Sequence, residues 1–153
     1  MSGVVSDTSP LIALHQIGQL GLLGTIFGSV LIPPAVAREG PGIERPAWLL
    51  VRSLEKPLAP PVVGAGLGPG ETEAISLALE LRVARVILDD LPARVLAQKL
   101  GIPLIGTLGI LLAAKRRGLM TAIREPIDTL RAGGFRVATE LYERVLTKAG
   151  ELQ

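Results

Sequence analysis

Twice in this chain a short run of β-branched and aliphatic residues stops on an aspartate, and a proline follows three residues later. The two stretches are Gly3-Val4-Val5-Ser6-Asp7-Thr8-Ser9-Pro10 and Val86-Ile87-Leu88-Asp89-Asp90-Leu91-Pro92. Apolar runs this short, bounded by turn signals, read as buried strands, and a proline just behind one marks the first turn of a helix. Ser9 ahead of Pro10 has the form of an N-cap, so the first helix is expected to begin at Pro10. A strand that turns straight into a helix is the unit of a parallel sheet wrapped by helices, where ligands bind in the crevice outside the carboxyl ends of the strands. Asp7, Asp89 and Asp90, three of the four aspartates in the chain, are thereby assigned to that edge.

The rest of the composition suits such a sheet. The 153 residues fit one domain, read as a single unit over 1–153 with 119–153 as a C-terminal helical extension. With 48% hydrophobic but only 3% aromatic residues, the core must come from Leu, Val, Ile and Ala. Cysteine is absent, which excludes disulfides and thiolate metal sites, and the single histidine, His15, reads as a helix-surface residue. Any metal must then be held by oxygen, which favours Mg²⁺ or Mn²⁺ over zinc. The net charge is only +2, so bulk charge argues weakly for a polyanionic partner. The basic group Arg94, Lys99 and Lys115-Arg116-Arg117 shares its half of the sequence with Asp89 and Asp90, although cations near helix C-termini are also ordinary.

Thirty consecutive residues, Thr8 to Ala37, carry no formal charge. A spanning helix needs about 20 predominantly apolar residues, whereas this run is broken by Gln16, Gly18, Gln19, Gly21, Gly24, Gly28 and Pro33-Pro34. Asp7 precedes it and no basic residue occurs before Arg38, which is not the pattern of a secretory signal. The expectation is a cytoplasmic protein without a membrane span.

Helices are expected after Pro10, over Leu20 to Phe27, and from Pro33-Pro34 to Glu39, with a strand at Val30-Leu31-Ile32. Gly40-Pro41-Gly42 must break the third helix. Residues 40–70, rich in Pro and Gly, are expected to form a loop-rich crossing anchored by Trp48-Leu49-Leu50-Val51. Beyond it come a helix from Pro69 with Glu71 in its first turn, the strand Arg85 to Leu88, a helix through Val95 and Leu100, and a strand at Pro103-Leu104-Ile105. A helix opened by Gly106-Thr107 and ending in Lys115-Arg116-Arg117, then two more helices, the last expected to be capped by Thr139, complete the chain. The alternation predicts an α/β fold, a three-layer α/β/α sandwich with a central parallel sheet.

Asp7, Asp89 and Asp90 at strand ends, with Glu39 and Glu71 at helix ends able to reach the same edge, form an acidic set. Two carboxylates about 4 Å apart repel by about 4 kcal/mol at an effective dielectric of about 20, so such a set must hold protons or cations. A divalent metal there would activate water and stabilise charge on a phosphodiester, which is nuclease chemistry without a histidine base. Each of these acids could instead be a helix cap, and Glu73, two residues from Glu71, faces away from it.

The chain resembles the PIN-domain family, metal-dependent ribonucleases that include toxins of toxin–antitoxin pairs. The resemblance is carried by Val4-Val5-Ser6-Asp7-Thr8-Ser9-Pro10-Leu11, Ile32-Pro33-Pro34-Ala35-Val36-Ala37-Arg38-Glu39, Gly68-Pro69-Gly70-Glu71-Thr72-Glu73-Ala74-Ile75 and Val86-Ile87-Leu88-Asp89-Asp90, in that order. Gly101 to Leu111, followed by Lys115, looks like a separate branch of that family. The resemblance implies an endoribonuclease in which Asp7, Glu39, Glu71 and Asp90 are catalytic, and Asp7, Glu71 and one or other of the doubled acids Asp89 and Asp90 bind Mg²⁺ or Mn²⁺. Ser9, Thr107, Arg94 and Lys115 would line the substrate pocket. It further implies an RNA substrate, a small antitoxin protein and a homodimer. Where many relatives carry an aspartate in the middle helix, this chain has Glu71. A non-catalytic PIN-fold module acting through protein or RNA partners is the competing reading. Phosphoryl transfer through an aspartyl nucleophile is disfavoured, because the position two residues after Asp7, where an acid would be needed, is Ser9.

Overall fold

The first strand is also the middle one. In the computed structural model, which describes residues 3–40 and 44–152, β1 (Val4–Ser6) lies between β2 (Val30–Ile32) and β4 (Arg85–Ile87). Outside them lie β3 (Leu49–Val51), beside β2, and β5 (Leu104–Ile105), beside β4, and every pairing is parallel. A central parallel strand is covered on both faces, which is why Val4, Val5 and Ser6 are all buried. The connection from β1 goes to one side of the sheet and the chain later returns to the other, so the β1/β4 boundary is the topological switch point.

The flanking helices pack in two groups. In one, α5 (Pro69–Leu81) meets α3 (Pro34–Glu39), α4 (Pro60–Val63) and α6 (Leu91–Lys99); in the other, α7 (Thr107–Arg116) meets α1 (Thr8–Gln16), α2 (Gly21–Phe27) and α9 (Thr139–Lys148). The expected α/β fold with a parallel sheet is what the chain adopts. The uncharged run folds into α1 and α2, bent by 117° at their junction, followed by β2; no single helix among the described residues is long and apolar enough to cross a membrane.

Local details differ from expectation. α1 begins at Thr8, with extended Asp7 rather than Ser9 at the N-cap. Pro10 then falls inside the first turn, where the amide it lacks would have had no helical partner. The loop-rich crossing over 40–70 carries two short elements beyond those expected, the edge strand β3 and the helix α4. β3 is only three residues long and one-sided, with Leu50 and Val51 exposed, so it carries no alternation to read. In the last helix, α9, the N-cap position falls on Ala138 rather than Thr139, without a side-chain cap bond. Glu39 ends α3 with Gly40 as C-cap, while the expected break at Pro41-Gly42 lies outside the described residues.

The C-terminal helices α8 (Arg124–Ala132) and α9 bury Ile123, Ile127, Leu130, Val145 and Leu146 in the same apolar cluster as the sheet. Glu151 latches this part to α7. Its Oε2 accepts from Lys115 Nζ at 2.9 Å and from the Ile123 amide at 2.8 Å, and its Oε1 accepts from the Arg124 amide at 3.0 Å. Hydrogen bonds to a partly buried charge contribute about 1.5–3 kcal/mol, so Glu151→Gln is expected to cost about 2 kcal/mol. Urea unfolding should show a lower midpoint at unchanged slope; an unmoved midpoint would mean that the latch contributes nothing.

Candidate metal centre

The parallel ladder delivers Asp7 to the carboxyl edge. Ser6 is in register with Ile87, and the Asp7 amide makes the last bond of that ladder, donating to the Ile87 carbonyl at 3.0 Å. With Thr8 already helical, the Asp7 side chain is held where β1 stops, and it is completely buried.

Two helix ends close on it. Thr8 Oγ1 donates to Glu39 Oε1 at 2.7 Å, and the Gly70 amide donates to Glu39 Oε2 at 2.9 Å, so Glu39 ties the first turn of α1 to the first turn of α5. The approach requires glycine at position 70: a Cβ there would overlap the Glu39 carboxylate. Glu71, in the first turn of α5 where the helix dipole favours a negative charge, turns back to accept from the Gly68 amide at 3.1 Å.

Asp7 is the group this arrangement leaves unsatisfied. Neither of its carboxylate oxygens has a hydrogen-bond partner, although both are buried. Burial pushes its carboxyl up to about 7, and the neighbouring carboxylates of Glu71 and Glu39 push the same way against the pull of the nearby Thr8 amide, which stands outside hydrogen-bonding geometry. No lysine or arginine compensates, since the one ion pair among the described residues is Lys115–Glu151. An orphaned carboxylate flanked by two others is short of positive charge, which a proton or a cation must supply. The donors are all oxygens, the ligand type that a hard divalent cation such as Mg²⁺ or Mn²⁺ takes. They do not form a closed cage: among the described residues no three acids stand close enough together to grip an ion.

The acids after β4 lie at the same edge, one strand over, but serve other neighbours. Asp89 Oδ1 accepts from the Thr107 amide at 2.8 Å and Oδ2 from Thr107 Oγ1 at 2.5 Å, fastening the end of β4 to the start of α7. Burial raises the Asp89 carboxyl above its ordinary value, with the Thr107 bonds and the Arg94 charge opposing. Asp90 is exposed and caps α6, accepting from the Ala93 amide at 3.1 Å. Arg94 donates to the Leu88 carbonyl at 2.8 Å, and it meets Asp89 over Gly106, where a Cβ would lie 2.7 Å from Arg94 Nη1 and 2.9 Å from Asp89 Oδ1.

The structure thus brings Asp7, Glu39 and Glu71 together, and groups Asp89 separately with Thr107 and Arg94. Thr107 is fully buried and Ser9 is exposed on the first turn of α1. Lys115 is not brought to this edge. It lies eight residues beyond Thr107, about 12 Å along α7 at about 1.5 Å per residue, and is engaged by Glu151. Glu73 caps α3 instead, accepting from the Ala35 amide at 2.9 Å. Two residues outside the predicted set help to build the site: Thr8 and Gly70 hold Glu39. Gly70 reads in the sequence as a flexible start to α5; its actual use, admitting a carboxylate against the backbone, had no local signal.

A doubly wound parallel sheet with a buried, unpartnered aspartate at its switch point defines the class: an α/β domain with an acidic carboxyl-edge site. The sequence profile of the DUF3368 family, a PIN domain, matches residues 3–151, and the chain belongs to that family. PIN domains are in general metal-dependent nucleases. No curated protein and no solved structure matches.

Proposed function

We propose that this protein is a Mg²⁺- or Mn²⁺-dependent endoribonuclease, and the toxin of a toxin–antitoxin pair. The observation that carries the reading is Asp7, a fully buried carboxylate with no donor on either oxygen, flanked by Glu71 and Glu39. Asp7 and Glu71 would hold the cation, which when bound activates water and offsets charge on the phosphodiester. Glu39, fixed by Thr8 and Gly70, positions the two helix ends around Asp7. Exposed Asp90 and the Arg94 side chain flank the same edge, where they would meet a substrate backbone. A small antitoxin protein and a second copy of the chain are the partners that this reading carries with it.

Cleavage of a structured RNA should require Mg²⁺ or Mn²⁺ and stop when EDTA is added. Cutting that persists in EDTA overturns the reading. A non-catalytic PIN-fold module is the second reading, favoured by the engagement of both Asp89 oxygens with Thr107 and by the open spacing of the acids. Thermal melts separate the two, because a cation specific to the folded state raises the midpoint and a module that binds none leaves it unmoved.

A further inference from the structure

At the edge where β1 and β4 begin, opposite the acids, a half-open cavity of ≈ 350 Å³ lies between the sheet, α2 and α7. Ile26, Phe27, Ile105 and Ala113 give it apolar walls, with Val4 and Ile110 buried behind them, and the charged residues of its lining are Arg85 and Arg117. Arg117 Nη1 donates to the Ile26 carbonyl at 3.1 Å, which fixes the guanidinium without neutralising it. Arg85 is exposed at the first position of β4. Among the described residues neither has a carboxylate within ion-pair distance, and no acid lines the cavity.

An apolar hollow with two uncompensated guanidinium groups is complementary to a molecule with an apolar body and an anionic head. Small-molecule sites are typically concave, about 300–1,000 Å³, mostly apolar, and oriented by a few polar groups. The planar donor fork of arginine matches a carboxylate. We propose that this cavity binds a small amphipathic carboxylate, its hydrocarbon against Ile26, Phe27 and Ile105 and its head group on Arg85 and Arg117. The site shares no residue with the acidic edge, so it stands or falls separately from the nuclease reading.

Three probes test it by calorimetry and methyl NMR on the full chain: octanoate, octanol and inorganic phosphate. Octanoate should bind one to one and shift the Ile26 and Ile105 methyl signals while leaving buried Ile75 in place. Octanol, which has the body without the charge, and phosphate, which has the charge without the body, should each bind at least about tenfold more weakly, the loss expected for a missing charge-assisted contact or a missing apolar body. The surface double variant Arg85→Gln/Arg117→Gln should lose the preference for octanoate over octanol. Equal binding of octanoate by wild type and variant, phosphate binding as tightly as octanoate, or no saturable octanoate binding overturns the proposal.

Discussion

Asp7→Asn is expected to make the metal-free protein more stable at pH 8 while lowering metal-dependent RNA cleavage by about a hundredfold or more, the order of loss seen when a metal site is disturbed. The two effects share one cause. In the fold the Asp7 carboxyl titrates at about 7, against 3.8 for the ordinary group, because it is buried beside Glu71 and Glu39. Below pH 3.8 both folded and unfolded chains hold the proton and Asp7 costs nothing. As the pH rises towards 7 the unfolded chain releases its proton and the folded one keeps it, so stability falls; above 7 the loss is complete. A difference of about three pKa units at about 1.36 kcal/mol each makes that loss about 4 kcal/mol at most. Asparagine never ionises, so the variant should escape the decline, melting with wild type near pH 4 and several degrees above it at pH 8. Mg²⁺ or Mn²⁺ should raise the wild-type midpoint at pH 8 and leave that of the Asp7→Asn variant unmoved. A variant less stable than wild type at pH 8 would show that Asp7 carries no unfavourable charge in the fold, and undiminished cleavage would remove it from the site.

Elements with local cues were legible in the sequence. Val4-Val5, Val30 to Ile32 and Val86-Ile87 are strands because fully buried parallel strands are continuous apolar runs, and α3, α5 and α7 open at the Pro or Gly-Thr signals that marked them. Glu39 and Glu71 fall where those helix boundaries put them. What each acid does was not legible, because a carboxylate's partner is chosen by tertiary packing. Glu73 accepts from Ala35, Glu80 from Glu55 and Lys56, and Glu151 from Ile123 and Arg124, all backbone amides at least 24 residues away. Asp7 looks no different in the sequence, yet it is the acid left without a donor. Thr107 shows the same limit: it meets Asp89 across 18 residues through both amide and hydroxyl. Lys115 was grouped with Arg94 by sequence proximity, but α7 carries it to the far end of the helix, where Glu151 engages it.

Gly70→Ala should separate the site from the fold. Gly70 lies in the first turn of α5 without a positive φ, so alanine is compatible with the backbone and would ordinarily favour the helix by up to about 1 kcal/mol. Against that gain, the new Cβ occupies the place of the Glu39 carboxylate, which must swing away and release both the Gly70 amide and Thr8 Oγ1. Two hydrogen bonds to a charged acceptor are then lost, each contributing about 1.5–3 kcal/mol, in part recovered because the displaced carboxylate reaches water. The opposing terms leave a stability loss of about 1–3 kcal/mol, a midpoint lower by a few degrees. The functional loss should be larger than that. With Glu39 displaced, the first turns of α1 and α5 are no longer tied together around Asp7, and the affinity for Mn²⁺, read from the metal dependence of the melting midpoint, should fall about 10- to 100-fold. A Gly70→Ala protein that melts slightly lower yet binds Mn²⁺ as tightly as wild type would show that Glu39 organises the fold alone, and the metal centre would then reduce to Asp7 and Glu71.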